Sequence, residues 1–213
     1  MSIIILTISI WPLFKIRNIK DLPDTKQLSF KSFFNSEGIL KKYLSIGLGS
    51  IHNNSENIIW PMYIFLIFDS ISSVAYLPII ASITAIILTY YTGRIAQKNK
   101  KKLIVVGGTM LSLIWLLRIF IENQPFYYVS VFIIGLLSVL ITIPIDCSIT
   151  ELSKKKDPLS VSTYRNFFAM SANMFFYGFL TILINIFHVS FILAASSCLA
   201  IAFLVSSINN KYL

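Results

Sequence analysis

The sequence predicts an all-α, polytopic membrane protein: a six-helix bundle preceded by a partial transmembrane helix and a cytoplasmic linker. Three observations lead there. First, 56% of the 213 residues are hydrophobic and 13% charged, with mean hydropathy +0.77, a balance suited to a chain solvated mainly by lipid. Second, long apolar stretches recur at residues 2–14, 43–68, 74–92, 103–121, 126–145, 161–187 and 189–208. Third, 15 of the 18 Lys and Arg residues fall in every second gap between those stretches, Lys211 follows the last stretch and Arg165 lies just inside the sixth, which leaves Arg118 as the exception. Basic loops are retained in the cytoplasm during insertion, so the linker and the C-terminus are assigned there. The net charge of +9 is explained by orientation and anionic headgroups rather than by nucleic acid, because the basic residues sit in short loops beside apolar spans. The assignment is an integral, multi-pass protein of the plasma or inner membrane.

The elements follow in order. Residues 1–17 hold an apolar run with its positive charges after it, unlike a signal peptide. Thirteen apolar residues rise only about 20 Å as a helix, against a hydrocarbon core of roughly 30 Å. This segment is therefore expected to be the end of a longer helix, and the chain the C-terminal part of a larger protein. Residues 18–42 form a polar linker with Leu28, Phe30, Phe33 and Phe34, which predicts a short amphipathic helix near residues 29–36. Residues 43–213 hold six spans joined by short loops, punctuated or kinked by Pro78, Pro125, Pro144 and Pro158. Six spans with both ends inside could form two inverted groups of three, though no sequence repeat is evident.

The first of these spans is the least lipid-like. It carries His52, Asn53, Asn54, Ser55, Glu56 and Asn57 between Gly47, Gly49 and Pro61. A carboxylate near mid-bilayer costs on the order of 3 kcal/mol on insertion scales, so the cluster must face protein or a wet cavity. His52 and Glu56 are four apart, as are Asn53 and Asn57, so each pair shares a helix face. The glycines and Pro61 predict a broken or bent helix. His52, Asn53, Glu56 and Asn57 are candidate substrate- or ion-binding residues, with Glu56 able to hold a cation, take up a coupling proton or meet substrate hydroxyls. Asn54 and Ser55 are assigned to bonds with neighbouring helices. In the fifth span of the bundle Asn166, Asn173 and Tyr177 share one stripe, which makes Asn173 and Tyr177 candidates for the facing wall, with interhelical bonding as the alternative.

At the basic end Arg94, Lys98, Asp146, Glu151 and Arg165 mark adjoining helix ends, and a latch is expected of Asp146 with Arg94 or Arg165. Solvated charge is the alternative, worth under about 1 kcal/mol per exposed pair. Arg118 is expected to snorkel outward and meet Glu122 one turn on. Cys147 and Cys198 have neither disulfide nor metal-ligand spacing. No P-loop, HExxH or GxSxG is present, which argues against an enzyme and leaves no cofactor or metal expected.

Residues 91–108 read Tyr-Thr-Gly-Arg-Ile-Ala-Gln-Lys-Asn-Lys-Lys-Lys followed by Leu-Ile-Val-Val-Gly-Gly. This resembles the cytoplasmic loop signature of the major facilitator superfamily, with Gly93, Lys98, Lys101 and Lys102 at matching places, Gln97 for the acidic residue and Lys100 for the second Gly. Together with the linker and the charge ladder, the resemblance covers nearly the whole chain. It implies the end of helix 6, the linker and helices 7 to 12 of a twelve-helix permease. By that resemblance the chain is half of a secondary transporter working by alternating access on a small solute. Its partners would be a coupling proton or cation, the lipid bilayer and an N-terminal six-helix half. A non-transporting membrane scaffold or a decayed half-transporter is the rival reading.

Overall fold

The computed structural model describes residues 30–35 and 38–208, so the expected partial helix at 1–17 and most of the linker lie outside the described residues. The elements are α1 (Phe30–Phe34), α2 (Ile39–Asn54), a π-helical turn (Ser55–Ile59), α3 (Trp60–Phe68), α4 (Ile71–Phe120), α5 (Gln124–Lys155), α6 (Pro158–Leu180) and α7 (Ile186–Ser206). Helix is the sole regular secondary structure among the described residues. Three helices are long and apolar enough to cross a membrane: Asn99–Phe120, Gln124–Lys155 and Ile186–Ser206. The first, with 22 residues, rises about 33 Å, matching a hydrocarbon core of roughly 30 Å. The chain is thus a helical membrane protein.

Each boundary has a local cause. After α3, Asp69 takes a left-handed conformation (φ 45°, ψ 38°) and its N–H returns to the Phe65 carbonyl, closing the helix. Asp adopts this region more readily than most residues, which suits a reversal of only two residues before α4. Pro125 starts α5 and Pro158 starts α6, where a missing N–H costs nothing. Asp157 caps α6: its carboxylate accepts from the Ser160 N–H at 2.8 Å and the Ser160 hydroxyl at 2.6 Å. The segment expected to be a loop at residues 93–102 is instead helical throughout, except at Asn99 (φ −136°, ψ 45°), which breaks α4 in two. Gln, Lys, Arg and Ala are good helix formers, so the backbone continues beyond the apolar run.

Two close approaches lock the bundle. A Cβ on Gly108 of α4 would lie 2.7 Å from the Cys198 carbonyl oxygen of α7, and one on Gly47 of α2 would lie 3.1 Å from the Phe168 carbonyl oxygen of α6. Small residues let membrane helices meet backbone to backbone, where dispersion replaces the hydrophobic effect as the source of attraction. Accordingly α4 packs chiefly on α5 and α7, and α2 on α6 and α7, so α7 is shared by both groups. The main core gathers Trp60, Trp115, Phe191, Ile134 and Ile201. A second cluster at the opposite end holds Phe33, Ile39, Tyr43, Ile149 and Val161.

Within the span expected to be an amphipathic helix, the described residues hold the five-residue α1. Phe33 is buried against Tyr43 and Tyr164, with ring centroids 5.7 and 4.6 Å away. Lys156 Nζ donates to the Phe33 carbonyl at 2.6 Å and sits 4.6 Å from its ring. Burial there lowers the Lys156 pKa from its ordinary value. The described end of the linker is therefore docked on the first turns of α2 and α6.

Candidate functional site

The expected break in the first span is the π-helical turn, not a kink at a glycine. Ser55 to Ile59 form one widened turn that holds an extra residue, and the Trp60 N–H reaches back five residues to the Ser55 carbonyl. Pro61 follows at once, and having no N–H it cannot close a bond to Asn57 in the α register or to Glu56 in the π register. Single π turns recur at functional sites because they re-aim side chains within a helix. Here the turn carries Glu56 and Asn57.

Glu56 meets Arg118, not His52. Arg118 Nη1 donates to Glu56 Oε2 at 2.5 Å and Nη2 donates to Oε1 at 3.3 Å, while Nε donates to the Ser130 hydroxyl at 2.8 Å. The guanidinium lies 3.6 Å from the Trp60 ring centroid and 4.6 Å from that of Trp115. The Arg118 side chain is 0% exposed and that of Glu56 16%. The expected outward path to Glu122 is thus overturned. A carboxylate on α2's continuation and two indole faces offer the cation more than an exposed acid one turn away, since each cation–π contact strengthens when desolvated. Glu122 itself is exposed.

His52 belongs to a second, adjoining set. Trp115 Nε1 donates to His52 Nδ1 at 2.9 Å, and His52 Nε2 lies 2.9 Å from the Ser138 hydroxyl. An indole N–H can only donate, so Nδ1 is an acceptor and the neutral ring carries its proton on Nε2. His52 is 4% exposed and turned into the bundle, so it is not a wall residue. Trp115 links the sets, bonding His52 by its edge and covering Arg118 by its face. Trp60 Nε1 is buried with no hydrogen-bond partner among the described residues, a cost set against the stacking of its ring on Arg118.

The asparagines divide. Asn54 Nδ2 donates to Asn173 Oδ1 at 2.6 Å, and Tyr177 donates to Asn54 Oδ1 at 3.0 Å. Ser50 also donates to Asn173 Oδ1, at 2.6 Å. Asn173 and Tyr177 are therefore joined to α2 by interhelical bonds at half-buried positions, through Asn54 rather than through the four residues expected to form the site. Ser55 is buried with its hydroxyl 3.5 Å from the Ser190 carbonyl. Asn53 and Asn57 are exposed. The six candidates thus form a buried pair of sets around His52 and Glu56, an interhelical set including Asn173 and Tyr177, and an exposed pair between them.

At the basic end Arg165 Nη2 donates to Asp146 Oδ1 at 2.7 Å, tying α6 to α5. Glu151 accepts from Lys100 Nζ at 2.7 Å, tying α5 to α4. Both acids are exposed, so each pair is worth at most about 1 kcal/mol and can open readily. The side chains of Gly93, Arg94 and Lys98 lie outside the described residues. Among the described residues no three His, Cys, Asp or Glu side chains group as metal ligands.

Arg118, Trp60, Trp115, Ser130 and Ser138 were not foreseen at the site. The signal for Arg118 was its place as the one basic residue off the charge ladder. Trp115 lies three residues before it and Trp60 four after Glu56, each one turn away on a shared face. No family model, curated protein or solved structure matches the chain.

Proposed function

We propose that the chain is a six-span half of a major-facilitator-type permease, moving a small solute by alternating access. The six spans are α2 through α3 with its π turn, the two parts of α4 on either side of Asn99, α5, α6 and α7. A second bundle supplies the opposite wall. The observation that carries the reading is the exposed pair Asn53 and Asn57, set on an interrupted span beside a charge that is partly open. Two side-chain amides against hydrocarbon would each lose their hydrogen bonds to water at a cost of a few kcal/mol, whereas a hydrated cavity satisfies them. Interrupted spans at such a cavity are the usual setting of substrate sites in secondary transporters.

In this reading the Glu56–Arg118 and His52–Trp115 sets hold the interrupted span in place, and the Asp146–Arg165 and Lys100–Glu151 pairs open and close at the cytoplasmic end. The basic loops orient the protein with that end inside. Asn53→Ala with Asn57→Ala alters exposed positions only, so the fold and the level of membrane-inserted protein should be retained. Uptake or efflux by cells carrying the doubly substituted protein should fall to the vector-only level in a solute screen. Transport equal to the parent at equal protein level would refute the reading.

A further inference from the structure

The polar residues of the interrupted span follow one another around its axis. At about 100° per residue in α2 and less through the π turn, Asn54 faces α6, Asn53 and Asn57 come next on the open side, Glu56 follows, and His52 lies on the buried side. Each station has a different capacity left for a ligand. Both lone pairs of Asn173 Oδ1 are taken by Ser50 and Asn54, so its amide has only the NH2 group to offer. Asn53 and Asn57 are exposed, and each carries both a donor and an acceptor. Glu56, at the far edge, has both oxygens on Arg118.

The charge of this arc is therefore zero, and its one buried cation is sealed. An anion could reach the guanidinium only by displacing Glu56, because Arg118 is covered by Trp60, Trp115 and the carboxylate itself. A cation at Glu56 would stand beside that guanidinium and would share a carboxylate already bonded twice. Either ion would give up hydration with no free counter-charge to replace it. A solute bearing hydroxyls meets no such penalty, since each hydroxyl both donates and accepts, as the amides do.

We infer that the arc formed by Asn53, Asn57 and the Asn173 amide recognises an uncharged, polyhydroxylated solute, with Glu56 held by Arg118 as a positioning residue. This rests on the transport reading above. Specificity arises because amides placed to bond hydroxyls reject analogues that leave them unpaired.

The test is uptake of four labelled probes by proteoliposomes containing the full chain purified from its native membrane together with the bundle that accompanies it: D-glucose, sorbitol, succinate and tetraethylammonium, each compared with protein-free liposomes. Saturable uptake of glucose or sorbitol is expected, with succinate and tetraethylammonium at the protein-free level. Asn53→Ala with Asn57→Ala should abolish the neutral uptake, while Asn53→Gln with Asn57→Gln, which keeps the amides, should retain part of it. Thermal unfolding in detergent should be unchanged in both, which separates loss of recognition from loss of fold. Uptake of succinate or tetraethylammonium in place of the neutral probes would overturn the solute class and leave transport standing. If none of the four crosses, the transport reading falls with it.

Discussion

Glu56 and Arg118 show how one side chain changes the meaning of another. Taken alone, an acid in a span suggests a free charge awaiting a proton or a cation. Paired on both oxygens with a sealed guanidinium, it is half of a neutral unit. Replacing Glu56 by Gln should leave Arg118 buried without a counter-charge and destabilise the protein by about 3–5 kcal/mol. Adding Arg118→Met should restore much of that loss, since the stranded charge is then gone; unfolding in detergent across the four members of the cycle measures it. A pair that merely decorates the surface would show additive, small effects. Glu56, His52 and the asparagines were legible as polar residues out of place in lipid. Their partners were not, because which helix faces which is set by tertiary packing that spacing along a single helix does not encode. The exceptional position of Arg118 in the charge pattern pointed to it, but its outward reach to Glu122 rested on local spacing alone. Contacts from α3 and α5 outweighed that local choice.

At the level of elements, apolar runs and prolines located the helices, while their joints depended on finer chemistry. Pro125 and Pro158 fall at helix starts, as their missing N–H requires. Residues 93–102 resemble a loop signature, yet helix propensity and not hydropathy decides the backbone form of such a polar stretch. Gly47 and Gly49 predict a break or bend; the break falls instead at the π turn, and Gly47 serves close contact with α6. The same distinction makes two glycines behave oppositely. Gly108→Ala should lower stability by about 1–3 kcal/mol, because its Cβ would press on the Cys198 carbonyl oxygen and helices α4 and α7 must separate. Gly178→Ala meets nothing within 4 Å and should be stabilising by up to about 1 kcal/mol through helix propensity. Unfolding of the two variants in detergent compares them directly, and equal effects would contradict the proposed tight α4–α7 contact.

For the whole molecule, the alternation of basic loops and apolar stretches foretold an all-helical membrane chain, because backbone buried in lipid must bond within its own helix. What alternation cannot provide is the division of each helix surface among lipid, neighbour and cavity, since all three faces can be apolar. Where polarity breaks through, as at Asn53 and Asn57, the sequence marks a face that lipid should not cover. The central claim is that this face is wet. With Cys147 and Cys198 replaced, Asn57→Cys and Phe175→Cys each present one thiol on an exposed face, the first on the polar arc and the second on an apolar stretch of α6. The measurement is their rate of reaction, in intact membranes, with a charged thiol reagent that cannot enter lipid. The account predicts that the thiol at position 57 reacts and the thiol at position 175 does not. Equal inertness of both would place Asn57 against hydrocarbon and contradict it.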